Sequence, residues 1–186
     1  MKNKVIIFPT DTVYGIGASV FDKEGIKRIY DIKKRPSDKP LAVLCANYEQ
    51  INEIAYVNDD AKILIDNFMP GALTVILKSK EVIKESMGLE TIGVRIPNYK
   101  LAREILLKNG PMATTSVNES GYPSLNNYDK IKEEYDDFVE LIIPPSGEAT
   151  SSKASTVVDI TSAPKVLRQG AITIEDIENV LERNKS

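Results

Sequence analysis

Apolar residues follow two repeating patterns along the chain. Short apolar runs and alternating segments rich in β-branched residues predict strands. These segments are 5–8, 41–45, 73–78, 91–96, 112–116, 139–143 and 156–160, and residues 165–168 are expected to be extended. Apolar residues at three- and four-residue spacing predict helices between the strands.

Five of the predicted helices begin at a polar residue that can accept hydrogen bonds from the first free backbone amides. The predicted caps are Asp22, Asn47, Asn58, Asn98 and Thr173. Pro36 is expected to stop the first helix, and Gly110 is expected to close the one that Asn98 opens. A charged helix should run through Tyr135, and a short helix or loop should lie between residues 78 and 91.

Strands and helices alternate along the chain, which predicts an α/β fold with a twisted mixed sheet and flanking helices. The 186 residues are 42% hydrophobic and are expected to form one domain, 1–186. The small, polar segment 144–153 is predicted to be a mobile loop, either a lid or a surface excursion. No run approaches the roughly 18 apolar residues of a membrane span, and no signal-peptide pattern is present. The expected location is therefore cytoplasmic.

The composition restricts the chemistry that this chain can perform. It contains no histidine and a single cysteine, Cys45, which excludes Ser-His-Asp and Cys-His catalysis and argues against a zinc site. Cys45 lies within an apolar run and is expected to be a small buried hydrophobe. A reaction would rely on cations, amides, hydroxyls, carboxylates or a metal carried by the substrate, and this set favours phosphate chemistry.

Positive charge is concentrated in one segment, although the chain has a net charge of −3. Six cations and two anions lie between residues 27 and 39. Pro36 and Pro40 stiffen the chain around Arg35 and Lys39, because proline fixes φ and restricts the residue before it. A guanidinium and an ammonium on a stiff loop suit phosphate or carboxylate, although a run of charges is more often a solvated surface.

Four polar clusters follow or interrupt apolar strands, at residues 10–15, at Arg95, at 114–118 and at 155–156. Ligands bind at strand ends in open α/β sheets, so these clusters are expected to converge on one pocket. Each cluster also has a structural interpretation: turn and cap hydroxyls, loop closure, or an internal carboxylate partner for Arg95. Their joint occurrence favours a functional site.

Seven motifs occur in order between Pro9 and Ile172. They lie at 8–17, 33–41, 70–74, 94–97, 115–121, 155–159 and 167–172. In this order they resemble the YrdC-like family of threonylcarbamoyl-AMP synthases, in its short single-domain form. The resemblance implies a YrdC-like fold with a positively lined central cavity.

The resemblance also implies an activity, that of an L-threonylcarbamoyladenylate synthase. Such a nucleotidyltransferase joins L-threonine, bicarbonate and ATP and releases pyrophosphate, and Mg²⁺ would arrive with ATP rather than at a metal site of the protein. The product would pass to a downstream tRNA threonylcarbamoyl-transferase complex that modifies an adenosine of tRNA. Contact with tRNA and binding of double-stranded RNA are further expectations, and no membrane is involved.

Residue roles are carried over onto matching positions. Lys33 and Arg35 would be catalytic. The implied ATP-binding residues are Lys33, Arg35, Lys39, Thr91, Ser116, Asn118, Asn126 and Arg168. The implied threonine-binding residues are Thr12, Tyr14, Arg95, Ser116 and Ser155, with the Arg95 guanidinium on the substrate carboxylate.

Two other functions stay open at this point. An RNA-binding module would use residues 27–39, but a net charge of −3 and 6% aromatic residues without tryptophan argue against it. Carbamoyl-adenylate formation from carbamoyl phosphate occurs in the related domain of hydrogenase-maturation proteins. The zinc-finger and acylphosphatase-like domains that accompany that activity are not found in these 186 residues.

Overall fold

The computed structural model describes residues 3–185, which form seven helices and ten strands. The strands are β1 Ile6–Phe8, β2 Gly15–Ser19, β3 Ala42–Leu44, β4 Ala55–Tyr56, β5 Leu73–Ser79, β6 Thr91–Arg95, β7 Met112–Ser116, β8 Leu141–Ile142, β9 Thr156–Asp159 and β10 Lys165–Arg168. The helices are α1 Lys23–Lys33, α2 Tyr48–Ile54, α3 Asp59–Phe68, α4 Glu81–Met87, α5 Lys100–Asn109, α6 Tyr128–Tyr135 and α7 Ile174–Arg183.

All ten strands join one sheet in the order β10-β9-β5-β6-β3-β7-β2-β1-β8, with β4 paired to β5. The pairs β1–β8, β3–β6 and β5–β9 are parallel and the others antiparallel, so the prediction of a mixed sheet is confirmed. Strand β2 was not predicted, because its sequence GIGAS contains two glycines, which are depleted in strands. Strand β8 covers only two residues of the predicted 139–143 strand.

One face of the sheet carries large apolar residues and packs against helices. Paired positions across β5, β6 and β3 place Val75, Val94 and Val43 in one fully buried row. Helices cover this face with residues such as Ile29 of α1 and Leu64 of α3. The burial of this row fixes the register of the central strands, because a slip by one residue would turn it toward the opposite face.

The opposite face is covered only in part. Helix α5 packs Ala102 and Leu106 into a second cluster with Phe8 and Met112. Next to this cluster, several residues on the same face of the central strands are small. Gly93 pairs with the half-buried Ile76, Ala42 with Thr114, and Thr114 with Gly17. These small residues leave a shallow floor beside α5.

Four of the five predicted helix caps are confirmed. The side chains of Asp22, Asn47, Asn58 and Thr173 each accept a hydrogen bond from the backbone N–H three residues on. The prediction for Asn98 is wrong, because the N-cap of α5 is Tyr99 and no side chain at that position caps the helix. Glu148 does so instead, accepting hydrogen bonds from the N–H groups of Lys100 and Leu101.

Two other predictions concern burial and membranes. Cys45 is fully buried and has a free thiol, and burial raises its pKa far above the ordinary value, so it acts as a small apolar residue, as predicted. Among residues 3–185, no helix is both long enough and apolar enough to cross a membrane.

Candidate functional site

A cavity of about 550 Å³ opens above the floor of small residues, within the size range of small-molecule sites. Gly15, Ala42, Gly93 and Thr114 are among its lining residues. A Cβ at position 15 would lie 2.7 Å from the Thr114 methyl group, so this close approach between β2 and β7 requires glycine. The glycines that obscured β2 in the sequence thus help to form the cavity.

Sequence-distant segments meet at this cavity, as their positions at strand ends predicted. Eight of the twelve predicted site residues line it: Thr12, Tyr14, Arg35, Thr91, Arg95, Ser116, Ser155 and Arg168. Among the described residues that line it, three are arginines and none is Asp or Glu. The cavity is therefore positively lined, although the binding roles of the individual residues stay predictions.

Arg95, at the end of β6, is held by three acceptors. Its Nη1 donates to Asp11 Oδ1 at 2.7 Å and lies 3.4 Å from the Gly71 carbonyl, while its Nη2 donates to Thr12 Oγ1 at 3.1 Å. The Arg95 and Asp11 side chains are only 7% and 11% exposed. The sequence left two interpretations of Arg95 open, a structural ion pair and a place in the pocket. Arg95 has both an internal carboxylate partner and a position in the cavity lining.

The hydroxyls beside Arg95 have defined donor directions. Thr10 Oγ1 donates to the Val13 carbonyl at 2.6 Å and lies 3.2 Å from Thr12 Oγ1. A hydroxyl has one proton, so Thr12 must donate to Thr10, while Thr12 accepts from Arg95. In this arrangement the Thr12 hydroxyl offers a ligand an acceptor for an N–H or O–H group.

Ser155 and Arg168 form a second polar group on the cavity wall. Arg168 donates through Nε and Nη2 to the Ser155 carbonyl, at 3.2 and 2.9 Å, and through Nη2 to Ser155 Oγ at 3.3 Å. The Ser155 hydroxyl is also hydrogen-bonded to Thr74 at 2.8 Å. The bulge between β9 and β10 brings Arg168 opposite Val157, on the cavity side of the sheet.

Arg35 and Lys39 lie in the predicted cationic segment but occupy different positions. Arg35 lines the cavity and donates through Nε to the Lys39 carbonyl at 3.0 Å and through Nη2 to the Pro40 carbonyl at 2.9 Å. These bonds fold the loop back on the guanidinium. The Lys39 side chain is exposed and is not among the lining residues.

Lys33 lies behind the cavity wall. Its side chain is only 1% exposed, and Nζ donates to the Ser116 carbonyl and, at 3.2 Å, to Asn118 Oδ1. Burial, together with the charge of Arg35, lowers the pKa of Lys33 from 10.5 to about 8. The buried ammonium therefore fastens α1 to the segment that follows β7.

Asn118 organises that segment. Its Oδ1 accepts from Ser116 Oγ at 2.6 Å as well as from Lys33, and its Nδ2 donates to the carbonyls of Glu119 and Tyr122, both at 2.9 Å. Both amide hydrogens and the carbonyl are thus in use. In this arrangement Asn118 sets the position of Ser116, which lines the cavity.

Asn126 and Tyr14 meet at the start of β2. Asn126 Oδ1 accepts from the Tyr14 N–H at 3.1 Å and does not line the cavity. The Tyr14 hydroxyl is buried and has no hydrogen-bond partner. Burial and the nearby Tyr99 and Tyr128 raise its pKa to about 12, so the hydroxyl keeps its proton at neutral pH.

Several lining residues had no predicted role, including Thr10, Thr74, Leu89, Gly93, Thr114 and Ser124. Thr74 lay within a recognised motif, and its alternation with Ile76 in β5 could have placed it on the same face. Thr10 and Thr114 belong to the polar clusters that were predicted to converge on one pocket, whereas Leu89, Gly93 and Ser124 carry no signal by residue type. In residues 3–185, no group of three or more Asp, Glu or Cys side chains is arranged to hold a metal ion.

Comparisons with known proteins find relatives that match almost the whole chain. The Sua5/YciO/YrdC family model, described as telomere recombination, matches residues 1–170. The Pyrococcus abyssi protein named threonylcarbamoyl-AMP synthase is 38% identical over 97% of the chain and 54% of its own length. A putative threonylcarbamoyl-AMP synthase of Methanocaldococcus jannaschii is 37% identical over 95% of the chain and 84% of its own length.

Solved structures show the same likeness. The crystal structure of P. abyssi Sua5 complexed with L-threonine has a TM-score of 0.88 and 37% identity, covering 96% of this chain and 54% of that one. Escherichia coli YciO has a TM-score of 0.81 and 29% identity, covering 94% and 86%. The chain thus spans about half the length of the P. abyssi protein and most of the length of YciO. By sequence match and by fold, this chain belongs to the Sua5/YciO/YrdC family.

Proposed function

We propose that this chain is an L-threonylcarbamoyladenylate synthase, a nucleotidyltransferase that makes threonylcarbamoyl-AMP and pyrophosphate from L-threonine, bicarbonate and ATP. The observation that carries the proposal is one cavity lined by three arginines and no carboxylate. Relatives named threonylcarbamoyl-AMP synthase match almost the whole chain at 37–38% identity. A relative with a TM-score of 0.88 was solved with L-threonine bound.

The reaction needs no histidine. The threonine amine attacks the carbon of bicarbonate, and loss of water leaves an N-carboxylate, which is already an anionic nucleophile. One of its oxygens attacks the α-phosphorus of ATP, and the bond between that phosphorus and the bridging oxygen breaks to release pyrophosphate. Negative charge develops on the leaving group, so positioned cations provide the main acceleration.

The cavity suits both organic substrates. Arg95 offers its remaining N–H groups to the carboxylate of threonine, and Thr12 and Ser155 bond the other polar groups of the amino acid. Arg35 faces the triphosphate, and Arg168, Ser116 and Thr91 contact the nucleotide. Tyr14 lines the same cavity, and its buried hydroxyl keeps its proton at neutral pH.

The four predicted residues outside the cavity lining need a different role. Lys33 and Asn118 support ATP binding by holding Ser116 in place, through the hydrogen bonds described above. Asn126 holds the backbone of Tyr14 and so supports the same cavity from behind its lining. Lys39 is exposed, and its flexible side chain reaches the phosphates when ATP is bound.

Magnesium belongs to the substrate in this proposal. Mg²⁺ is commonly held by nucleotide phosphates and waters with few protein ligands. The cavity lining supplies hydroxyls and arginines, which suit the phosphates better than the ion itself.

The product is passed on for tRNA modification by a downstream transferase complex in the cytoplasm, with contact to tRNA as a further part of the proposal.

The test is pyrophosphate release by the purified protein with ATP, Mg²⁺ and bicarbonate, with and without L-threonine. Release that depends on L-threonine, together with threonylcarbamoyl-AMP in the product mixture, would support the proposal. Release that requires carbamoyl phosphate instead, or no release from a folded protein that binds double-stranded RNA, would overturn it. For variants of the three lining arginines in this assay, Arg103→Ala is a matched control. Arg103 donates to the Pro97 carbonyl and is not among the lining residues.

A further inference from the structure

Asp11 is a largely buried carboxylate that pairs with the Arg95 guanidinium. Its Oδ1 accepts from Arg95 Nη1 at 2.7 Å, and its side chain is 11% exposed. Arg95 lines the cavity, whereas Asp11 does not. The Asp11 carboxylate therefore influences a ligand through the arginine that it holds.

The hydrogen bonds of Arg95 leave part of the guanidinium free. An arginine has five N–H donors in a fixed planar arrangement. Asp11, Thr12 and the more distant Gly71 carbonyl account for three of them. The remaining donors are available to a carboxylate in the cavity, and the direction in which they point depends on the partners behind.

Asp11 is itself held from the other side. Its backbone carbonyl accepts a hydrogen bond from the Ser151 N–H at 2.7 Å. Ser151 belongs to loop 144–153, and the neighbouring Ser152 lines the cavity with Ala154. The backbone of Asp11 is thus anchored by Ser151, and its side-chain carboxylate is held in position to orient Arg95.

We infer that Asp11 is a positioning residue that orients the Arg95 guanidinium for the carboxylate of L-threonine, without contacting either substrate. Charge as well as shape matters here, because a buried guanidinium without its carboxylate would turn to other acceptors such as the Gly71 carbonyl. This inference rests on the proposed function. It requires Asp11 to control the affinity for threonine and not the affinity for ATP.

Asp11→Asn and Asp11→Ser are the test variants, the first nearly isosteric and the second smaller. KM for L-threonine and KM for ATP are measured separately by pyrophosphate release, below the melting temperature of each variant. The expected KM for L-threonine rises about 10-fold in Asp11→Asn and about 100-fold in Asp11→Ser, the size of effect that misplacing a binding group produces. The KM for ATP should stay within about twofold of the wild-type value.

Glu140→Gln is the matched control, because Glu140 also pairs with an arginine and accepts a backbone N–H, but is not among the residues that line the cavity. It should lower the melting temperature and leave both KM values unchanged. Equal rises in both KM values for the Asp11 variants, or an unchanged KM for threonine, would overturn the inference. If wild-type protein itself shows no response to threonine, the proposed function fails and the inference fails with it.

Discussion

Two cationic regions face the same cavity and are built in opposite ways. Arg95 lies in a central strand, is almost fully buried, and bonds to a carboxylate and a hydroxyl. Arg35 lies in a loop, and its hydrogen bonds within the protein go to the backbone carbonyls of Lys39 and Pro40. The first arrangement fixes a guanidinium by charge and packing, and the second fixes it only by the path of the local chain.

The difference suggests how each arginine can serve its substrate. A carboxylate is small, so its recognition benefits from a guanidinium that is already oriented and desolvated. A triphosphate is long and carries several charges, and a loop that can adjust tolerates its different positions along the reaction. The regions should therefore respond differently to mutation, in stability as well as in activity.

The largest effect is expected for Arg95→Met. The substitution removes the proposed carboxylate partner and leaves Asp11 buried without its cation, so turnover should fall by about 1,000-fold and the free energy of unfolding by about 3 to 5 kcal/mol. Turnover by pyrophosphate release and unfolding by urea titration measure the two effects.

The double variant Arg95→Met with Asp11→Asn separates the two losses. Removing the buried charge should restore part of the stability while turnover stays low. If turnover recovers together with stability, Arg95 has a structural role only and the comparison between the two regions is wrong.

Arg35→Ala should reduce turnover by about 100-fold, the usual loss on removal of one charge-stabilising group. The melting temperature should hardly change, because Arg35 is partly exposed and donates only to carbonyls of its own loop. Lys34→Ala is the neighbouring control: Lys34 is exposed and forms only a surface ion pair with Glu119. A loss of turnover in Lys34→Ala equal to that in Arg35→Ala would show that only the total charge of the segment matters.

Much of the fold followed from local sequence patterns. Buried strands such as 73–78 and capped helices such as the one that Asn58 opens are specified by neighbouring residues, so their signals were sufficient. Strand β2 was missed because its glycines weaken the strand signal. They are needed so that Thr114, a residue about one hundred positions away, can pack close to the β2 backbone. The cap of α5 was missed for the same reason, since Glu148 is remote in sequence.

The candidate site shows the same division. The motifs indicated which segments would meet, and eight of the twelve predicted residues line one cavity. They did not indicate which side chains would face it. Lys33 was expected at the phosphates, but the helical phase of α1 and the close approach of Ser116 bury it behind the wall. Side-chain direction depends on packing between distant elements, which a single sequence does not display.

Lys33 itself provides a prediction about pH. Its pKa is about 8 in the folded protein against 10.5 ordinarily, so between these pH values the unfolded chain binds more protons. Stability should therefore rise with pH over this window, while any activity that needs the ammonium falls above pH about 8. Melting temperatures and turnover from pH 6.5 to about 10 should show these opposite trends in the wild type.

The Lys33→Met variant should show neither trend. Its turnover should be about 10-fold below the wild-type value at neutral pH, because Ser116 loses the buried donor that positions it, and this loss is smaller than the roughly 100-fold that a 1 Å misplacement can cost. Lys27→Met, at an exposed position of the same helix, is the control and should keep the wild-type pH dependence. Parallel trends in wild type and Lys33→Met would show that another group titrates.

The smallest effect is expected for Glu148→Gln, which tests whether loop 144–153 supports the Arg95 region. The Glu148 carboxylate accepts from the first amides of α5 and from Ser146 Oγ, and these hydrogen bonds lower its pKa. Because the lowered pKa favours the ionised form in the folded protein, this contribution to stability is present at neutral pH and is lost as pH falls through that pKa. The variant should melt a few degrees lower at pH 7, by an amount typical of a lost helix cap, and the difference should shrink in acid.

Loop 144–153 also bonds to the Asp11 carbonyl through Ser151. Limited proteolysis should therefore cut the loop faster in the Glu148→Gln variant, and KM for L-threonine should rise about twofold to threefold. An unchanged KM with faster cleavage would show that Asp11 and Arg95 hold their orientation without the loop, and that the strand-mounted region is rigid on its own.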